Sequence, residues 1–263
     1  MLGAIAGDII GSVHEFIGTK TTDFELCHSD AHFTDDTVLA VAVADCLLHG
    51  HDYVDAFHDY FEAYPDAGYG TRFRLWASAR DRAPYNSWGN GSAMRVAAVG
   101  WALDQFDEVR GAAMISAMVT HNHPEGVKGA EATAVAIFMA RMGRSRDDIR
   151  TAIERTFGYN LQRRLDDIRP AYGFNESCQG TVPEAIIAFL ESTGYEDAVR
   201  KAISLGGDAD TLACITGGIA EAFYGGVPPH IATRAWELLD DRLRGTVRKF
   251  CERYGVPVVH GFQ

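Results

Sequence analysis

Apolar residues recur every three or four positions along almost the whole chain, and runs that alternate apolar and polar positions are rare. The first pattern is typical of amphipathic helices and the second of strands. The pattern therefore predicts an all-α protein, a compact single-domain orthogonal helical bundle with any active site in the loops between helices. The predicted helices span residues 2–17, 36–49, 52–63, 71–80, 92–103, 107–119, 125–141, 146–156, 182–192, 196–204, 211–224 and 230–241.

Length and composition favour one domain over residues 1–263, because the chain can bury a sizeable core and no Ser/Gly/Pro-rich stretch divides it. The net charge of −12 disfavours non-specific attraction to nucleic acid or to anionic lipid. The five cysteines include no Cys-x-x-Cys pair, so neither a disulfide framework nor a thiolate zinc site is indicated. No 18-residue apolar run and no signal peptide is evident, and we expect a cytoplasmic protein.

Two acidic clusters stand at the starts of predicted helices, Thr-Asp-Asp-Thr at 34–37 and Gly-Gly-Asp-Ala-Asp-Thr at 206–211. One hypothesis makes them ordinary helix caps. A cap needs a single acceptor, however, and each cluster holds two carboxylates that repel unless a cation or the helix dipole offsets them. Carboxylates and hydroxyls are the ligands that Mg²⁺, Mn²⁺ and Ca²⁺ prefer, so the second hypothesis is a shared oxygen-ligated metal site.

Glycines recur at or near helical spacing in the first predicted helix, at positions 3, 7, 11 and 18. Each costs about 1 kcal/mol relative to Ala in a helix interior, which predicts that another element approaches this face closely. Asp8 and Glu15 are seven residues apart, so a helix over 2–17 would place both on one stripe, with Glu15 able to reach a metal. The alternative is a solvated acidic edge.

The segment 85–95 is a Gly/Asn/Ser loop that runs into an apolar helix pattern. Its amides and the helix N-terminus suit a phosphate or pyrophosphate, and Trp88 offers a flat surface to a ring or sugar, although a plain turn is the alternative. The loops at 68–70 and 174–180 combine aromatic and small residues that permit stacking and close backbone approach. His121 and His123 invite a zinc hypothesis, but they lack a third ligand, so His121 is expected to contact a ligand or cap a helix.

Taken in order, five motifs resemble those of the ADP-ribosylglycohydrolase family, which includes dinitrogenase-reductase-activating glycohydrolase and the ADP-ribosyl-arginine and ADP-ribosyl-serine hydrolases. They are Gly-Asp-Ile-Ile-Gly at 7–11 with Glu15, Phe-Thr-Asp-Asp-Thr at 33–37, Gly-Asn-Gly-Ser-Ala-Met-Arg at 89–95, Thr-His at 120–121 with Pro124, and the cluster at 206–211. The resemblance runs from Gly7 to about Gly226 and implies a compact all-α enzyme with two Mg²⁺ or Mn²⁺ ions.

The resemblance also implies a role for individual residues. The implied metal ligands are Glu15, Thr34, Asp35, Asp36, Asp208, Asp210 and Thr211. The implied substrate-binding residues, which would hold the diphosphate and distal ribose or form the rim of the cleft, are Gly68, Gly70, Asn86, Ser87, Trp88, Gly89, Asn90, Gly91, Ser92 and His121. We expect Asp35 to position or deprotonate the attacking water, with Glu15 as the alternate acid or base.

The implied reaction is metal-dependent hydrolysis of the glycosidic bond between ADP-ribose and an acceptor. The expected partner is an ADP-ribosylated protein, modified on a side chain such as arginine or serine, or a small ADP-ribosyl compound, and ADP-ribose is the product. Two alternatives are an ADP-ribose-binding module without turnover and a two-metal phosphoester hydrolase, since the ligand chemistry alone does not separate phosphoryl from glycosyl targets.

Overall fold

The computed structural model describes residues 1–257, and within them no strand forms; one antiparallel bridge joins Gly89 and Ser177. The all-α prediction is confirmed. The helices are α1 Leu2–Ser12, α2 Asp35–His49, α3 Tyr53–Ala63, α4 Thr71–Ser78, α5 Gly91–Met94, α6 Ala97–Ala102, α7 Phe106–Met118, α8 Pro124–Arg141, α9 Arg146–Phe157, α10 Leu165–Ile168, α11 Cys178–Leu190, α12 Tyr195–Ile203, α13 Ala209–Tyr224, α14 Pro229–Leu238 and α15 Asp241–Tyr254.

None of the helices in this range is long and apolar enough to cross a membrane. The predicted single domain over 1–263 includes residues 258–263, which lie outside the described residues.

Helices α1 and α13 lie at the centre of the fold, and their backbones touch. A Cβ added to Gly7 would lie 2.0 Å from the carbonyl oxygen of Ala213, and one added to Gly11 would lie 2.4 Å from the Cα of Asp210. The close approach predicted from the glycine spacing is therefore present. Its consequence is that α1 is fixed directly against the first turn of α13, which carries the second acidic cluster.

The first helix is shorter than predicted. It ends at Ser12 rather than 17, and residues 13–18 form a turn that closes at Gly18, whose φ is +71°. A hydrogen bond of 2.9 Å between His14 Nδ1 and Thr19 Oγ1 stabilises this turn. Glu15 therefore does not share a helical stripe with Asp8, and that prediction is wrong.

Other boundaries also differ from the prediction. The helix predicted over 92–103 is broken into α5 and α6 at Arg95, and the helix predicted over 230–241 ends early because Asp240 caps a new helix, α15. Helix α11 begins at Cys178, four residues before its predicted start, because Ser177 caps it by accepting a hydrogen bond from the Gly180 N–H. The single turn α10 was not predicted.

Candidate active site

A cavity of about 520 Å³ opens where the N-terminal turns of α2 and α13 meet the turn 13–18. Its volume lies within the range of about 300–1,000 Å³ typical of small-molecule sites. The predicted site residues that line it are Glu15, Thr34, Asp35, Asp36, Gly68, Gly70, Ser87, Gly89, Asn90, Gly91, His121, Asp208, Asp210 and Thr211. Asn86, Trp88 and Ser92 are not among the lining residues.

Asp8 anchors the first acidic cluster from α1. Its Oδ1 accepts a hydrogen bond from the Thr34 hydroxyl at 2.7 Å, and its Oδ2 accepts from the backbone N–H groups of Thr34 and Thr37 at 3.0 and 3.1 Å and from the Thr37 hydroxyl at 2.5 Å. The side chain is completely buried. Asp8 is therefore not a solvated edge but the group that fixes the start of α2 against α1.

The second cluster is held by partners from other parts of the chain. Asp208 Oδ2 accepts a hydrogen bond of 2.7 Å from Asn90 Nδ2, and Asp210 Oδ1 accepts one of 2.9 Å from the backbone N–H of Thr211. The Thr211 hydroxyl donates across to Asp36 Oδ1 at 3.3 Å. The two clusters, far apart in sequence, thus form one site.

Helix capping explains only part of this arrangement. Thr34 does cap α2, because its hydroxyl accepts a hydrogen bond from the Asp36 N–H at 3.3 Å. Asp208 stands at the N-cap position of α13 but makes no side-chain capping bond. Asp36 Oδ2 is buried and has no hydrogen-bond partner. The cap hypothesis therefore leaves most of the carboxylate oxygens unexplained.

The carboxylates raise one another's pKa. Burial raises the pKa of Glu15 to about 8, with additional repulsion from Asp210, Asp8 and Glu176. Burial also raises the pKa of Asp208 to about 6, and burial together with neighbouring carboxylates raises the pKa values of Asp35, Asp36 and Asp210 well above the ordinary range. Within residues 1–257 no Lys, Arg or His side chain forms an ion pair with this cluster.

This donor set fits an oxygen-liganded cation. Glu15, Asp208 and Asp210 each offer a carboxylate oxygen within 4.8 Å of the other two, and the unpartnered Asp36 Oδ2 is a further acceptor. A divalent cation would lower the cost of burying these charges together, and hard carboxylate ligands favour Mg²⁺ or Mn²⁺ over softer metals.

The loop 86–92 lies between two other segments and borders the cavity. On one side the Asn90 N–H donates to the Glu176 carbonyl at 2.7 Å and the Cys178 N–H donates to the Trp88 carbonyl at 2.9 Å. On the other side the Asn86 N–H donates to Asn122 Oδ1 at 2.8 Å. These bonds give the loop a fixed backbone conformation.

Parts of the predicted phosphate cradle need correction. Ser92 is fully buried and its hydroxyl donates to the Gly126 carbonyl at 2.7 Å, so it faces away from the cavity. Trp88 is 47% exposed and packs beside the ring of His123, 5.5 Å away between centroids, instead of facing the cavity. Helix α5 is a single turn of four residues, so its dipole contributes little, and any anion must rely on backbone amides and side chains.

The sequence does not indicate the role of several residues at the cavity. Tyr85, Arg72, Arg95 and Glu176 all line the cavity, although the sequence assigns none of them an individual role. Asp8 is not a lining residue but supports the site from α1. The Arg72 side chain donates to the Tyr85 carbonyl, and its guanidinium carbon lies 5.0 Å from the centroid of the Tyr85 ring. One signal was available: Arg95 interrupts an otherwise apolar helix pattern.

The fold and site define an all-α protein with a buried carboxylate cluster beside a cavity of small-ligand size. The chain belongs to the ADP-ribosylglycohydrolase family, whose model matches residues 1–257. The sequence is 28% identical to ADP-ribosylhydrolase ARH3 of Homo sapiens over 86% of this chain and 84% of that protein. It is 25% identical to ADP-ribosylarginine hydrolase Tri1 of Pseudomonas putida (strain GB-1) over 91% of this chain and 76% of that protein.

A solved structure described as an ADP-ribosylglycohydrolase-related protein complex superposes with a TM-score of 0.70 and 25% sequence identity, covering 97% of this chain and 96% of that chain. The protein is an ADP-ribosyl hydrolase. The alternative of a binding module without turnover does not fit these relatives, which are named as hydrolases.

Proposed function

We propose that this enzyme uses two divalent cations, Mg²⁺ or Mn²⁺, to hydrolyse the glycosidic bond between the distal ribose of ADP-ribose and an acceptor. The ions would be held by the oxygens of Glu15, Thr34, Asp35, Asp36, Asp208, Asp210 and Thr211. The observation that carries the proposal is the joining of both acidic clusters, through Thr211 and Asp36, into one buried group without a basic partner in the described chain. Bound cations would neutralise this group and orient ribose hydroxyls.

The side chains of the cluster divide the remaining chemistry between them. The oxygen of water attacks the anomeric carbon, the bond from that carbon to the acceptor nitrogen or oxygen breaks, and the acceptor leaves with a proton. Asp35 lines the cavity and is the proposed group that positions the water and takes its proton. Glu15 is the alternate acid or base: its pKa is raised to about 8 in the metal-free protein, and a bound cation would favour its charged form.

The rest of the substrate would lie along the loop 86–92. Gly89 and Gly91 bring the backbone close to His121, and Gly68 and Gly70 line the same cavity on the side of Asp35. A diphosphate beside the loop would place the distal ribose toward the carboxylates. The proposed substrate is thus an ADP-ribosylated protein or a small ADP-ribosyl compound, with ADP-ribose as the product.

The decisive experiment is release of ADP-ribose from a panel of arginine-linked, serine-linked, acetyl-linked and nucleic-acid-linked substrates, with Mg²⁺, with Mn²⁺ and with a chelator. We expect metal-dependent release from at least one linkage, and at least about a hundredfold slower release by Asp208→Asn. Release of phosphate from a phosphomonoester, with no ADP-ribose from any substrate, would favour the two-metal phosphoester hydrolase instead. Full activity in chelator would contradict the metal assignment.

A further inference from the structure

Arg95 is a fully buried cation with an unusual set of partners. No carboxylate within residues 1–257 pairs with it; its Nη2 donates to the Ser116 carbonyl at 2.6 Å and to Thr120 Oγ1 at 2.9 Å, and its guanidinium carbon lies 4.4 Å from the centroid of the Phe57 ring. Burial lowers its pKa to about 10, so it stays charged at neutral pH. A guanidinium can only donate hydrogen bonds.

The Thr120 hydroxyl connects Arg95 to the active-site cavity. Its oxygen accepts the hydrogen bond from Arg95 and lies 2.8 Å from Nδ1 of His121, and the described residues provide it with no further partner. The hydroxyl is fully buried and has a single proton. Because Arg95 cannot accept that proton, Nδ1 of His121 is the acceptor within reach.

The other nitrogen of the same ring, Nε2, faces the loop 86–92. A Cβ added to Gly91 would lie 3.2 Å from His121 Nε2, and one added to Gly89 would lie 3.6 Å from it. A neutral imidazole that accepts at Nδ1 must carry its proton on Nε2. The N–H of the ring then points toward Gly89 and Gly91, which line the cavity.

We infer that Arg95 is a positioning residue that acts through the Thr120 hydroxyl to fix His121 as the tautomer protonated on Nε2, ready to donate to an anionic oxygen of the ligand. The second half of this inference, the donation to a diphosphate or ribose oxygen, rests on the proposed function. The tautomer itself is a property of the free protein and stands apart from it.

The competing protonation states each leave a group without a partner. With the proton on Nδ1, the ring and Arg95 would both donate to one hydroxyl, and the hydroxyl proton would have no acceptor. A doubly protonated ring would have the same conflict. It is also disfavoured because burial, and then the charges of Arg95 and Arg72, lower the pKa of His121 well below its usual value.

The first test is the protonation pattern of the ring in the free protein at pH 7. Two-bond ¹⁵N–¹H correlation spectra distinguish protonated from unprotonated ring nitrogens, and loss of one ring's signals in His121→Gln assigns His121. We expect an unprotonated Nδ1 and a protonated Nε2. A protonated Nδ1, alone or together with Nε2, overturns the inference whether or not the protein binds ADP-ribose.

The second test removes the connecting hydroxyl. Thr120→Val should yield a mixture of tautomers and weaken ADP-ribose binding about tenfold, the loss expected for one hydrogen bond to a charged group, and Thr120→Ser should restore both. The matched control is Thr133→Val, another buried threonine, whose hydroxyl has no hydrogen-bond partner. An unchanged tautomer in a folded Thr120→Val protein would contradict the inference; if that variant does not fold, the wild-type spectrum decides.

A third comparison addresses Arg95 itself. Arg95→Lys keeps a pure donor beside the Thr120 hydroxyl and should keep the tautomer. Arg95→Gln provides a carbonyl that can accept the hydroxyl proton, so it should release Nδ1 and yield the mixed ring spectrum. If folded Arg95→Lys and Arg95→Gln proteins give identical ring spectra, Arg95 does not set the tautomer of His121. Wild-type protein that has the expected tautomer but does not bind ADP-ribose would instead contradict the proposed function.

Discussion

The hydroxyl of Thr211 donates a hydrogen bond of 3.3 Å to Asp36 Oδ1, joining residues 175 positions apart in the chain. Each of the two residues belongs to one acidic cluster, and the clusters begin helices α2 and α13. In the first cluster the buried Asp36 Oδ2 has no hydrogen-bond partner, so neighbouring donors do not satisfy its carboxylates. Turnover at the site should therefore depend on both clusters together and not on either one alone.

Neutralising one carboxylate in each cluster tests whether the two clusters act as one site. Asp35→Asn and Asp208→Asn should each lower turnover by at least about a hundredfold, since each would disturb the coordination of the proposed metal. The double variant should be little worse than either single one, because residues that act as a unit are not additive. Steady-state rates, with melting temperatures as a control for folding, measure both effects.

Two results would contradict that prediction. Fully multiplicative losses would indicate two independent sites. Unchanged turnover with a stability change of about 1 kcal/mol or less would indicate that the carboxylates serve as helix caps.

The stability of metal-free protein should fall as the pH rises from 7 to 8. The pKa of Glu15 is raised to about 8 from an ordinary value of 4.5, so in this window the folded state binds more protons than the unfolded state and loses that advantage as pH rises. His14, His58 and His121 have pKa values lowered from the ordinary 6.5, so they oppose this slope near pH 7, and their effect fades toward pH 8. Differential scanning calorimetry after chelation measures the slope.

The matched variant for this pH dependence is Glu15→Gln, which should flatten the slope between pH 7 and 8. Saturating Mg²⁺ should reduce the slope in the unsubstituted protein, because a bound cation stabilises the charged carboxylates. A melting temperature of metal-free protein that rises over this interval would be inconsistent with the raised pKa of Glu15.

Gly91→Val should weaken ADP-ribose binding without removing the proposed metal site. Its Cβ would meet His121 Nε2 at 3.2 Å and Cε1 at 3.3 Å, so the added side chain would displace the ring and occupy the space beside the loop. Calorimetric titration with ADP-ribose should show at least about a tenfold loss, the equivalent of about 1.4 kcal/mol. Unchanged affinity in a normally folded variant would mean that the ligand lies elsewhere.

Gly7→Ala should destabilise the protein by about 3 kcal/mol, the upper end of typical overpacking, because its Cβ would lie 2.0 Å from the backbone oxygen of Ala213. The control is Gly245→Ala in α15, where nothing lies within 4 Å of the added Cβ. That substitution should stabilise the protein by about 0.5–1 kcal/mol, through helix propensity alone. Denaturant unfolding of both variants checks the difference in sign.

Much of the fold and part of the candidate site could be predicted from sequence, for identifiable reasons. Helix α2 was predicted to within one residue, because its cap Thr34 and its terminator Gly50, with φ +73°, are local features. The break at Arg95 could not be predicted, since it depends on Ser116 and Thr120, which lie more than twenty residues away in the chain.

The carboxylates were identified by residue type and motif, but their partners were not. That Asp8 is an internal anchor and Asn90 a donor to Asp208 depends on contacts between segments 26 and 118 residues apart. Pattern and periodicity carry no information about such pairs. Trp88 illustrates the opposite error, because an aromatic beside a Gly-rich loop suggested stacking, whereas its ring faces His123 and solvent.

The backbone contact between α1 and α13 has a consequence for laboratory evolution of new specificity. Gly7 and Gly11 leave no room for a side chain, so the spacing between the two acidic clusters depends on positions that do not line the cavity. In random libraries spread over the whole gene, many variants would fail to fold because of substitutions in the contact between α1 and α13. Libraries confined to Asp66, Glu176 and the exposed Phe16, which line the cavity, and to the exposed Phe174, whose ring stacks 5.8 Å from that of Phe16, could vary acceptor preference while leaving the acidic clusters intact.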